Sequence, residues 1–332
     1  TPVIPVQGSL GASGDLANLA HMSLVLLGEG SAEVDGRVMS GKQALEMRNL
    51  SPVTLSGKDG LALINGTSVM LAIGSLAILE AEDCFHAANA AAALTFEALR
   101  GFRNAYDPRI HALRSQVGQQ VVAKTLLQLL ENSEYADTRT DDVQDAYSLR
   151  CIPQVHGATY DALAYVRNIL SLECNAVTDN PIVFAETGEI ISGGNFHGQP
   201  IAIALDLLSI ACAELANISE RRIERLVNPQ LSNGLPPFLC QSSGVSSGYM
   251  ISQYVAASLV SENKVLSHPA SVDSIPSSAN KEDHVSMGTI AARKAEVVIQ
   301  NVRRVIAIEL ICAAQAIDLQ EKRQLGVGTR EI

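Results

Sequence analysis

The sequence holds no tryptophan, and its seven tyrosines and six phenylalanines bring the aromatic share to only 4%. Few side chains are left to stack on bases, which weighs against single-strand nucleic-acid recognition. Basic residues are also scarce, with 24 Lys and Arg against 35 Asp and Glu, a formal charge of −11. Only short pairs such as Arg221-Arg222 and Arg303-Arg304 occur. Binders of nucleic acid or anionic membranes need clustered cations, so neither partner is expected. No Cys-x-x-Cys pair exists among Cys84, Cys151, Cys174, Cys212, Cys240 and Cys312. Their wide spacing is a poor match to a zinc knuckle or a secreted disulfide framework and reads as small buried hydrophobes in a reducing, cytoplasmic setting. Residues 1–7 hold two prolines and no basic residue, so no secretory leader is expected there. No long apolar run lacks interruption. Residues 61–79 are uncharged, but Asn65, Gly66, Thr67, Ser68, Gly74 and Ser75 break the run. We read it as a loop entering a buried helix, not as a membrane span.

What the chain does have is a helical pattern over most of its 332 residues, with 47% hydrophobic residues. Helices are expected over 69–99, 110–130, 160–172, 201–226, 250–266 and 285–316. Several exceed the usual globular length and are apolar nearly all round, as in the middle of a large bundle. No run of alternating residues is long enough for a central sheet. The fold class is therefore all-α, as one helical core over 1–332. Polar and glycine-rich connections at 8–14, 137–148, 179–198 and 267–283 are where chemistry is expected on such a scaffold. The charged run 220–225 reads as a helix end or a subunit contact. His21, His156, His197 and His284 match no zinc spacing and read as structural, with no metal expected.

Gly11-Ala12-Ser13-Gly14-Asp15-Leu16 admits two readings. It is a turn entering a helix, with Ser13 or Asp15 as N-cap. It is equally a turn tight enough for the nitrogen of Gly14 to close on the carbonyl of Ala12. Loss of water there, and of a second water from Ser13, gives a 4-methylidene-imidazol-5-one, an electrophile built from the chain with no external cofactor.

Other stretches bear on that choice: residues 8–17, Leu61-Ala62-Leu63-Ile64-Asn65-Gly66-Thr67, Gln144-Asp145-Ala146-Tyr147-Ser148-Leu149-Arg150-Cys151, Asn175-Ala176-Val177-Thr178-Asp179-Asn180-Pro181, Gly193-Gly194-Asn195-Phe196-His197-Gly198 and residues 277–287. In these ordered blocks the chain resembles the histidine ammonia-lyases, a branch of the aromatic amino-acid ammonia-lyase and aminomutase family. The resemblance implies an all-α, ammonia-lyase/fumarase-like architecture, a homotetramer with shared active sites, and the ring at Ala12-Ser13-Gly14. It implies L-histidine as substrate, with trans-urocanate and ammonia as products. The substrate amine adds to the methylidene carbon, which turns a poor leaving group into a better one; a base then takes the weakly acidic β-proton. By resemblance Arg150 clamps the substrate carboxylate. Asn65 contacts the ring or the substrate's polar end. Tyr147 relays a proton or bonds the ring, and Gln144 supports the ring. Asn195 bonds the ring or its loop, and Phe196 packs beside it. Met250 lines the imidazole pocket. Glu282, followed by Asp283-His284, marks the histidine branch, where a carboxylate partners an imidazole N–H.

The chain departs from the family pattern at four places. Asn18 replaces a common Pro, which loosens a helix start. Lys281 replaces Gln beside Glu282, where a cation lowers a carboxyl pKa. The family segment that supplies a further Tyr and a His precedes the Ala-Ser-Gly motif, whereas Ala12 here lies eleven residues after Thr1. The family's C-terminal region is cut short as well. The expectation is a fragment or one part of a longer or split enzyme, with a separate polypeptide carrying the N-terminal region. The rival readings are a tyrosine or phenylalanine lyase or aminomutase, a fumarase-type lyase, and a non-catalytic scaffold of lyase descent. Glu282 opposes the first, and the Ala-Ser-Gly element opposes the second.

Overall fold

The structure is a computed structural model that describes every residue except Asp141 and Ser243. In chain order the helices are α1 (Leu16–Leu26), α2 (Gly41–Met47), α3 (Asp59–Ile64), α4 (Ser68–Ala98), α5 (Pro108–Ala112), α6 (Val117–Leu129), α7 (Tyr147–Arg150), α8 (Ile152–Glu173), α9 (Gln199–Val227), α10 (Met250–Leu266) and α11 (Gly288–Asp318). Among the described residues the strands are β1 (Ser31–Val34), β2 (Arg37–Ser40), β3 (Ile182–Phe184) and β4 (Glu189–Ile191). They form two antiparallel hairpins, β1–β2 and β3–β4, and no central sheet. The fold is all-α, as the periodicity predicts.

Two compact units divide the chain. The first comprises Thr1–Leu76, Arg167–Asp206 and Pro269–Lys294; the second comprises Ala77–Val166, Leu207–His268 and Ala295–Ile332. Helices α4, α8, α9 and α11 contribute residues to both.

In the first unit, the starts of two long helices are held by one side chain. The Asp15 carboxylate accepts the N–H groups of Val69 and Met70, each at 2.9 Å, and the Thr289 hydroxyl at 2.5 Å. Val69 and Met70 lie in the first turn of α4 and Thr289 in that of α11, so a buried acceptor meets two backbone N–H groups that have no partner inside their own helix, and one side-chain hydroxyl. This corrects the N-cap expectation. Asp15 stands at the N-cap position of α1, but its side chain makes no bond to α1. Asn18 is also corrected. Its Nδ2 donates to the Pro5 carbonyl at 2.8 Å, so it ties the preceding segment onto α1 instead of loosening it.

In the second unit, the expected helix over 110–130 is two helices. Gly118, in the first turn of α6, packs so closely on α8 that a Cβ there would lie 2.1 Å from the Gly157 carbonyl oxygen. The Gly118 N–H donates to the Asp161 carboxylate of α8 at 3.0 Å. The chain bends at 113–116 to deliver α6 to this contact. The charged run 220–225 does lie at the end of α9, and two of its members, Glu220 and Arg222, are buried. Arg222 meets Glu309 through Nε–Oε1 at 2.5 Å and Nη2–Oε2 at 2.9 Å. Thr95 and Ser219 donate their hydroxyls to the same carboxylate. A buried ion pair survives only when its remaining valences are filled, as they are here. His156 donates through Nδ1 to the Asn89 side-chain oxygen at 2.9 Å and turns Nε2 toward Arg222. Burial, and then the nearby guanidinium, push its pKa well down, so the ring is neutral.

Residues 61–79 divide between α3, a short turn and α4, so the helix entry is as expected while the first four residues are helical instead of loop. Among the described residues α9 is the one helix long and apolar enough to cross a bilayer, and most of its apolar window is buried within the protein.

Candidate functional site

The residues expected to form the ring lie in a backbone-locked turn of the first unit. Gly14 N–H donates to the Gly11 carbonyl at 3.2 Å, Gly66 N–H to the Ser13 carbonyl at 3.0 Å, and Asp15 N–H to the Gly66 carbonyl at 2.7 Å. Ser13 takes φ +49° and Gly14 φ +82°. The left-handed region is costly for serine and free for glycine, so the strain falls on the residue expected to lose its side-chain oxygen. A Cβ on Gly14 would lie 1.9 Å from the Gly66 oxygen, which leaves room for glycine alone. The residues present therefore fit a ring closed between positions 12 and 14. The turn is preformed, its neighbours are small, and Asp15 fixes its far side to α4 and α11.

Glu282 stands at this turn. Its Oε1 accepts the Ser13 hydroxyl at 3.0 Å, and its Oε2 accepts those of Ser278 at 2.6 Å and Ser277 at 3.2 Å. The Ser278 bond leads in holding the Glu282 carboxyl below the usual carboxylate range; burial opposes it, and the Ser13 and Ser277 bonds add to the lowering. The Glu282 pKa is lowered as expected, but the causes that lead are the serine hydroxyls and not the Lys281 charge.

Asn65, between α3 and Gly66, is 8% exposed. Its Nδ2 donates to Asp179 Oδ1 at 3.0 Å and to the Asn180 carbonyl at 3.1 Å. Its Oδ1 is buried and has no hydrogen-bond partner. Asp179 also pairs with Lys58. Burial pushes the Asp179 carboxyl up, but bonds from Lys58, Asn65 and its neighbour's N–H, with the charge of Lys58, bring it below its ordinary value.

Asn195 donates Nδ2 to the Val177 carbonyl at 3.2 Å, so its observed bond is to the loop beside Asp179. Phe196 is half-buried. Next to it, His197 stacks on His284 with centroids 5.5 Å apart, and its Nδ1 accepts the Gln199 N–H. Among the described residues no group of three or more His, Cys, Asp or Glu is arranged to hold a metal.

The second unit brings together another set of expected residues. Arg150 packs its guanidinium over the Tyr147 ring at 4.5 Å and donates Nη1 to Gln144 Oε1 at 2.9 Å. The bond observed for Gln144 is thus to the arginine. The α7 turn that carries Tyr147 and Arg150 is anchored through its backbone. Tyr106 donates its hydroxyl to the Leu149 carbonyl at 2.8 Å, and Arg222 donates Nη1 to that of Ser148 at 3.5 Å. Tyr147 itself is exposed. Met250 stands apart from these groups, in a cavity of about 350 Å³ lined also by Glu224, Phe238, Gln253 and Tyr254.

Sequence reasoning missed the supports: Lys58 and Asp179 behind Asn65, Ser277 and Ser278 behind Glu282, and Thr289 behind Asp15. Asp179, Ser277 and Ser278 lie within the polar connections and within the matching family blocks, whereas Lys58 and Thr289 lie in neither.

The family model for aromatic amino acid lyases matches residues 1–332. The chain is 62% identical over 331 residues to a histidine ammonia-lyase of Treponema denticola, covering all of this chain and 65% of that protein. It is 60% identical to one of Alkaliphilus oremlandii, covering 99% and 65%. The chain thus spans about two thirds of the length of these relatives. Its structure is similar to histidine ammonia-lyase from Trypanosoma cruzi, with a TM-score of 0.92 at 46% identity, covering 99% of this chain and 62% of that one. It is similar also to Pantoea agglomerans phenylalanine aminomutase, with a TM-score of 0.94 at 37% identity, covering 99% and 67%. With a match along its whole length and a shared fold at substantial identity, the chain belongs to the aromatic amino acid lyase family.

Proposed function

We propose that this chain forms the electrophile-bearing core of a histidine ammonia-lyase, which eliminates ammonia from L-histidine to give trans-urocanate. The observation that carries the reading is the turn at Ala12-Ser13-Gly14, where Ser13 is strained, Gly14 admits no side chain, and the Ser13 hydroxyl faces the Glu282 carboxylate. The closed 4-methylidene-imidazol-5-one supplies an electrophilic carbon for the substrate amine. Glu282, ionised and held by two serines, accepts the imidazole N–H and favours histidine over phenylalanine or tyrosine. Arg150, kept in place by Gln144 and Tyr147, binds the substrate carboxylate. Tyr147, exposed, takes part in proton transfer. Asn65 offers its unpartnered oxygen to the polar end of the substrate. Asn195 and Phe196 hold the neighbouring loop; Met250, which lines a separate cavity in this chain, is assigned to the imidazole pocket by the family resemblance alone. The active form is a homotetramer with shared sites in the cytoplasm. The names and identities of the bacterial relatives support the choice of histidine.

The test is a substrate panel on the full-length enzyme, with Ser13→Ala as control. Appearance of the urocanate chromophore from L-histidine alone, and its loss in Ser13→Ala, is the expected result. Consumption of L-phenylalanine or L-tyrosine in preference to L-histidine would overturn the substrate assignment.

A further inference from the structure

Asn65 offers a buried oxygen that nothing in the protein satisfies, and the arrangement behind it explains why the oxygen is the free end. A carboxamide is nearly symmetric in shape, so its direction is set by its partners. Both groups facing the Asn65 nitrogen are acceptors, the Asp179 carboxylate and the Asn180 carbonyl. If the amide turned over, its oxygen would face two acceptors and two bonds would be lost. Asp179 is itself fixed by Lys58 on one oxygen and by the Asn180 N–H, at 2.7 Å, on the other. Asn180 is held in turn, because its Oδ1 accepts the Gly193 N–H at 2.7 Å and the Ser192 hydroxyl at 3.2 Å. Ordinarily a buried acceptor without a donor costs about 1–3 kcal/mol. The fold orders three side chains and two loop segments to maintain one.

We propose that Lys58 and Asp179 are positioning residues, which lock the Asn65 amide so that Oδ1 is a permanent acceptor for an N–H donor of the bound amino acid, its α-ammonium group, which keeps an N–H for this bond after it gives up the proton that frees its lone pair for addition. The proposal rests on the lyase reading and deepens it. Asn65 lies next to Gly66, whose N–H and carbonyl are both bonded to the Ser13–Asp15 turn, so the acceptor belongs to the same rigid unit as the turn. An ammonium finds there a neutral oxygen in a low-dielectric setting, with the amide already oriented by its partners. Asp179 supplies negative charge one residue further back, where it strengthens the pull on a cation without forming an ion pair that would hold the amine too tightly. Lys58 neutralises part of that charge and keeps Asp179 turned toward Asn65.

The test uses the full-length enzyme and two readouts. The first needs no substrate. The side-chain NH2 signal of Asn65, assigned by its loss in Asn65→Ala, is followed by hydrogen exchange. In the native protein these protons are expected to exchange slowly, and in Asp179→Ala about ten-fold faster or more. The second is kcat/KM for L-histidine in a double-mutant cycle. Asp179→Ala is expected to lower it by about ten- to a hundred-fold, the worth of one hydrogen bond involving a charged group. In the Asn65→Ala background the same change is expected to cost less than about two-fold, because Asp179 acts through Asn65. Asp179→Asn, which keeps the shape, replaces Asp179→Ala if the latter fails to fold, and should move both readouts in the same direction. Unchanged exchange in Asp179→Ala, or an equal loss of kcat/KM in both backgrounds, would overturn the proposal. A native enzyme that shows the protected Asn65 amide but leaves L-histidine untouched would refute the lyase reading and leave the lock established.

Discussion

At the scale of single residues, the site is a set of polar groups whose state is dictated by immediate neighbours. Glu282 is the clearest case. Three serine hydroxyls reach its carboxylate, and its pKa is lowered, led by Ser278. A depressed carboxyl pKa gives stability that is fully present above the unfolded value, about 4.3, and is lost as pH falls through the folded value. Ser278→Ala is therefore expected to raise the Glu282 pKa toward its ordinary value, read from the carboxyl carbon shift in an NMR titration. No movement would place the cause elsewhere. Gly14 gives a sharper outcome. Its φ of +82° and the 1.9 Å approach of the Gly66 oxygen leave no place for a methyl group. Gly14→Ala is expected to keep both waters in the chain, visible as an unreduced intact mass.

At the scale of elements, the contacts that matter join residues far apart in sequence. Gly118 and Gly157 bring α6 and α8 to backbone contact. Gly157→Ala places a methyl group against the Gly118–Gln119 backbone of α6, within 2.4 Å of the Gln119 nitrogen, and should cost about 1–3 kcal/mol, measured by urea unfolding. Here the limits of sequence reading are plain. The Ala-rich α4 and the apolar α9 and α10 were legible, because their periodicity is local. Ala12-Ser13-Gly14, Asn65, Arg150 and Glu282 were legible as motifs, because the blocks that carry them are contiguous. The break at 113–116 was not legible, since its cause is a glycine some forty residues away on α8. Asp15 was read as a cap for the helix beside it, since its true partners, Val69, Met70 and Thr289, are visible only after folding. Lys58 and Asp179 escaped notice for the same reason. Asp15→Ala would strand two N–H groups and a hydroxyl, and a loss of about 2–4 kcal/mol in thermal or urea unfolding is expected.

At the scale of the whole molecule, the long helices provide rigidity, and the buried polar groups give each unit a specific arrangement. In the second unit Arg222 and Glu309 are both without solvent contact, and Thr95, Ser219 and His156 complete their shell. Glu309→Ala leaves an uncompensated guanidinium in the interior. The expected loss is about 3–5 kcal/mol, larger than for any exposed pair such as Arg48–Asp35. The same guanidinium donates to the Ser148 carbonyl in the turn that carries Tyr147 and Arg150, so the variant should also weaken substrate binding. In the first unit a strained turn is held rigid by backbone bonds and by Asp15, which is the arrangement the proposed ring closure requires. The measurement that tests this most directly is the intact mass of the purified chain beside its Ser13→Ala variant. The account predicts that the native chain is lighter than its sequence by two waters and that the variant is not. A native mass equal to that of the unmodified sequence would contradict it.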